Sequence, residues 1–207
     1  MHNISRTGHS FISFHLNKIN FIKIIFILFL LGMIYGALLT GLSDEQTINA
    51  LSFLTEQFVN KRAEQSIIIT FFSSFSSSIL LLLALFLVGF CAIGQPFALF
   101  VPVFHGLGLG MSMAYMYATQ GLQGVLFSIL LILPQAAIST FAIILGTRES
   151  VRFSNMFFHY FMPDKYEFPQ AGALKLYLTK FAVLAGFIAV SALVDSICTF
   201  LFAGFFH

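Results

Sequence analysis

Residues 67–93 read IIITFFSSFSSSILLLLALFLVGFCAI, a run without a single charged side chain. A membrane-spanning helix needs roughly 20 mostly apolar residues at about 1.5 Å of rise each, so this run is long enough to cross a bilayer. Four more runs of the same kind surround it, from about Ile22 to Leu42, Phe97 to Ala118, Leu122 to Gly146 and Leu176 to Phe206. The chain therefore reads as an all-α, polytopic membrane helix bundle of five transmembrane helices. Composition agrees: of 207 residues, 58% are hydrophobic and only 9% are charged.

The basic residues set an orientation. With the N-terminus inside, Arg6, Lys18, Lys23, Arg148, Arg152, Lys165, Lys175 and Lys180 fall on the inner side, and only Lys61 and Arg62 lie outside. Such a bias in short loops keeps the basic side cytoplasmic, and it leaves the C-terminus outside. A cleavable leader is the competing reading of the first run. That run is too long for a typical signal core, and no small-residue cleavage pair stands near Ala37.

Residues 1–207 form one integral membrane domain, with no linker long enough to separate two cores and no fixed-period repeat. Two polar segments stand out. The outer loop 43–66 reads as an amphipathic helix, with Ile48, Leu51, Leu54 and Phe58 on one stripe and Ser43 and Gln46 placed for a capping box. It is expected to lie on the membrane surface or to present a docking face. The inner loop 147–175 mixes basic and aromatic residues before Pro163 and Pro169, a composition suited to an anionic leaflet.

Small residues mark where helices approach. Gly32 and Gly36 make one G-x-x-x-G step in the first run, and Gly106 and Gly110, with Gly108 between them, make another after His105. These positions are expected to pack helices or to receive partner helices. Pro96 and Pro102 predict a kinked or partly unwound start to the third run, and Pro134 frees a carbonyl one turn back in the fourth, where Gln135 can supply donors. Two ionisable residues lie within apolar runs, His105 and Asp195, and each is a functional candidate because a buried charge is costly in lipid. Their estimated depths differ, which argues against pairing one with the other.

Enzyme chemistry finds little support. Aspartyl catalysis needs two carboxylates at one site, and only Asp195 lies within an apolar run. There is no G-x-S-x-G, no H-E-x-x-H and no Walker A loop, and the six His are scattered. Cys91 and Cys198 suggest neither a disulfide framework nor a metal site. No catalytic residue, cofactor or metal is expected.

The segment order, with Phe104-His105-Gly106-Leu107-Gly108-Leu109-Gly110, Thr119-Gln120-Gly121-Leu122-Gln123-Gly124, Leu133-Pro134-Gln135 and Ile144-Leu145-Gly146-Thr147, resembles the core of the stage II sporulation protein M family of bacterial membrane proteins. Wider relatives of that family carry Pro-His-Gly and then Glu three residues on, where this chain has Pro134, Gln135, Ala136 and Ser139. Pro-Gln is similar to the sporulation branch. The resemblance implies a non-enzymatic scaffold in the mother-cell membrane facing the forespore, recruiting membrane-anchored peptidoglycan hydrolases during engulfment. The expected partners are those hydrolases and membrane lipid, with a homo-oligomer left open and no nucleic acid. The alternative is the membrane subunit of an exporter or channel worked by a separate ATPase.

Overall fold

The structure is a computed structural model, and it describes residues 18–42, 67–161 and 171–203. The amphipathic helix read over residues 43–66 lies outside the described residues. Those residues form α1 (Lys18–Gly41), α2 (Ile67–Gly89), α3 (Gly94–Phe127), a wide π turn (Ser128–Ile132), α4 (Leu133–Phe161) and α5 (Ala171–Ala203). Helix is what apolar runs of this length must adopt in lipid, because only intrasegment hydrogen bonds can satisfy their backbone there. Among the described residues there is no strand.

Consecutive helices alternate in direction. In α1 and α3 Phe29 lies beside Gly106 and Met33 beside Gly110, so these two run parallel. Ser74 meets Asp195 and Phe86 meets Phe181, so α2 and α5 are antiparallel. Gln95 to Asn155 and Gln135 to Ser191 likewise set α4 against both α3 and α5. The starts of α1, α3 and α5 and the ends of α2 and α4 therefore share one end of the bundle. All the Lys and Arg of the described residues, Lys18, Lys23, Arg148, Arg152, Lys175 and Lys180, belong to that end.

Four helical segments are long and apolar enough to cross a membrane: Asn20–Gly41, Ile68–Gly89, Gly94–Ala118 and Gly172–Leu201. The fourth run, residues 122–146, is helical too but is divided between elements. The break comes at Gly121, whose φ of 60° is left-handed and favours glycine, and the π turn follows before Pro134. This corrects the expectation from Pro96 and Pro102. Both prolines sit in regular helix, Pro96 in the first turn of α3, where its missing N–H would have had no intrahelical acceptor. Beyond Gly146, α4 continues to Phe161, so residues 147–161 are helix.

The core lies among α2, α4 and α5, where Leu82, Leu85, Ala142, Ile143, Leu184 and Ile188 pack together. Large apolar side chains such as Phe72, Leu80, Phe100, Phe104 and Phe200 point outward, which suits a surface facing lipid.

Candidate functional site

The seam between α1 and α3 is built from backbone. A Cβ on Gly32 or Gly36 would come within 2.3 Å of the carbonyl oxygens of Val103 and Leu107, and one on Gly106 or Gly110 within 2.2 and 2.0 Å of those of Phe29 and Met33. The two glycine pairs thus face each other inside one chain. The expectation that these faces receive partner helices is corrected accordingly, since the chain's own helix already occupies each one. Gly108, on the same helix, meets nothing within 4 Å and points away. His105 lies on this seam, its ring 6.1 Å from that of Phe29. Its Nε2 is buried without a hydrogen-bond partner.

A second seam, between α2 and α5, changes character along its length. On α2 the buried face reads Thr70, Ser74, Ser78, Leu82, Leu85 and Gly89; on α5 it reads Tyr177, Phe181, Leu184, Ile188, Ser191, Asp195 and Thr199. The helices are antiparallel, so one end of the seam is aromatic and aliphatic and the other is hydroxyl and carboxyl. At the polar end Ser74 donates to the Asp195 carboxylate, and Asp195 is wholly buried. A central Asp costs about 2.5–3.5 kcal/mol to insert, so partners of this kind are required. Asp195 thus meets α2 while His105 meets α1, and the two serve different seams. One turn lower, Ser191 donates to the Gln135 carbonyl at 2.8 Å. That bond ties the segment after the π turn to α5, with Pro134 in the first turn of α4.

The opposite end holds a knot of aromatic rings around Tyr177. Its ring stacks on Phe153 at 4.1 Å and on Phe86 at 5.4 Å, and its hydroxyl donates to the Phe86 carbonyl at 3.0 Å. The last turns of α2 would otherwise leave carbonyls unpaired. Ser150 supplies Leu85 at 2.7 Å, and Ser154 supplies Cys91 at 2.6 Å in the turn beyond. Beside this knot Glu149 of α4 holds Lys180 of α5 at 2.6 Å, with Arg152 at 3.5 Å and Arg148 at 3.8 Å. Glu149 is 13% exposed and Lys180 35%, so part of the attraction survives screening. Glu149→Gln should destabilise by about 1 kcal/mol, and a double-mutant cycle with Lys180→Met should recover a coupling of similar size. Additivity of the two substitutions would contradict the pairing.

The family described as Stage II sporulation protein M matches residues 25–206. The chain belongs to that family. No curated protein and no solved structure matches it.

The match runs from Ile25, in the first buried turn of α1, to beyond the end of α5, so apart from the start of α1 the described helices fall within the stage II sporulation protein M pattern. The seam with Asp195 uses residues that sequence reasoning only half found. In the serine-rich stretch 73–78, Ser74 and Ser78 read from the sequence as interhelical hydrogen-bonding residues, but nothing there singles out Thr70 and Thr199. Their signal is spacing: Thr70, Ser74 and Ser78 recur every four residues, as do Ser191, Asp195 and Thr199. Glu149 was missed because a lone acid among Arg148 and Arg152 reads as a solvated loop unless the helix is known to continue.

Proposed function

We propose that the chain is a non-enzymatic membrane scaffold that recruits or positions membrane-anchored peptidoglycan hydrolases during engulfment in sporulation. The observation that carries this reading is the family match over residues 25–206, on a bundle whose helices cross and recross in one unit. In this reading the end carrying Lys18, Lys23, Arg148, Arg152, Lys175 and Lys180 faces the cytoplasm. The C-terminal end of α5 then faces the wall, in the mother-cell membrane around the forespore. Hydrolase partners meet the wall-side end or the outer apolar faces, because the glycine faces of α1 and α3 are closed on each other.

One observation favours the second reading, a membrane subunit of an ATPase-driven exporter or channel. Gly121 and the π turn interrupt helix within an apolar run, as helices that line a translocation path do. Purification of the tagged protein in mild detergent from sporulating cells, with mass spectrometry of what accompanies it, separates the two. Peptidoglycan hydrolases without an ATPase are expected. An ATPase in stoichiometric amount would overturn the scaffold reading.

A further inference from the structure

We propose that Asp195, with the hydroxyls of Thr70, Ser74 and Thr199 and main-chain carbonyls of the π turn, binds a single sodium ion inside the membrane. This site goes beyond the scaffold reading and stands independently of it.

The antiparallel register of α2 and α5 fixes the arrangement. Ser74 meets Asp195, so Thr70, one turn before Ser74, lies level with Thr199, one turn after Asp195. Thr70 is 2% exposed and Thr199 6%, and the Oγ1 of each is buried with no hydrogen-bond partner. A buried hydroxyl left so costs about 1–3 kcal/mol, and here two of them flank one carboxylate. Hydroxyl and carboxylate oxygens with a single negative charge match an alkali cation in both charge and ligand type.

The third wall is backbone. Ser191 bonds the Gln135 carbonyl and α4 runs antiparallel to α5, which brings residue 131, one turn before Gln135, to the level of Asp195. That residue belongs to the π turn Ser128–Ile132, which packs against α5. Pro134 has no N–H to return to the carbonyls one turn before it. A π turn followed by proline therefore presents carbonyl oxygens at the depth where the carboxylate and hydroxyls converge. Irregular backbone of this kind coordinates cations in other membrane helices.

Binding of radioactive sodium to the purified full-length protein tests the site, alongside thermal unfolding followed by circular dichroism in sodium chloride and in choline chloride of equal ionic strength. One sodium ion per chain is expected, with a melting temperature about 5–10 °C higher at hundredfold excess over Kd. Asp195→Asn should abolish both effects. Thr70→Val and Thr199→Val remove buried hydroxyls that bond nothing without the ion, so they should hold or raise the melt in choline and weaken sodium binding at least tenfold. These two variants decide the matter if Asp195→Asn does not fold. Wild-type protein that binds no sodium, or melts alike in both salts, would overturn the proposal. So would a stabilisation that follows pH and not sodium.

Discussion

Tyr177→Ala should destabilise the purified protein by about 3–5 kcal/mol, the largest effect of any single side-chain truncation considered for this bundle. The ring is 3% exposed and stacks on Phe153 and Phe86, with Phe181 at 4.6 Å and Phe90 at 5.7 Å around it. Truncation therefore opens a cavity where α2, α4 and α5 converge. It also leaves the Phe86 carbonyl without the donor that completes the end of α2. Tyr177→Phe keeps the ring and loses only the hydrogen bond, so about 1 kcal/mol is expected. Thermal or denaturant unfolding in detergent reads both. Equal effects of the two substitutions would mean that the stacked ring contributes little, against the packing described.

Gly110→Leu should lower the melting temperature by about 10 °C, the shift expected from about 3 kcal/mol of overpacking in a chain of this size. The new Cβ would stand 2.0 Å from the Met33 carbonyl oxygen, and 2.8 Å from its carbon. Neither atom can turn aside, because both belong to the backbone of α1. The helices must separate along the whole seam, since Gly32, Gly36 and Gly106 meet backbone in the same way. Gly108→Ala is the matched control. Its Cβ meets nothing within 4 Å, and alanine is the better helix former, so the melt should hold or rise by about 2 °C. Similar losses at both positions would show that glycine acts there through something other than the close approach of α1. Gly106→Leu breaks this internal seam too, so loss of a partner in that variant would report misfolding as well as docking.

Much of this fold was legible because lipid leaves a chain few choices. Runs such as residues 67–93 must be helices, and their basic flanks collect at one end, as Lys23, Arg152 and Lys180 do. The glycine pairs were legible as close-packing positions by their spacing. That they pack on each other was not, since the spacing of four in Gly32 and Gly36 describes one helix face and says nothing of what covers it. The same limit hid the partner of Asp195. Its i, i+4 neighbours Ser191 and Thr199 mark a polar stripe, but only the antiparallel register of α2 selects Ser74 to meet it. Of the prolines, Pro96 and Pro102 leave the third run helical, whereas the π turn Ser128–Ile132 ends directly before Pro134, and Gly121 breaks the helical path ahead of it. Proline can be carried within a helix whose neighbours hold it, as Pro102 is, whereas a left-handed φ ends the helical path at once. His105 was legible as a costly residue, and the structure sets it on the α1–α3 seam against Phe29.

The proposed scaffold would act in the cell by positioning a wall hydrolase. The most direct measurement follows a fluorescently tagged, membrane-anchored peptidoglycan hydrolase by microscopy in sporulating cells with and without the protein. With it, the hydrolase should concentrate at the membrane advancing around the forespore; without it, the hydrolase should spread through the mother-cell membrane although its amount is unchanged. Undisturbed concentration of the hydrolase in cells that lack the chain would contradict the account.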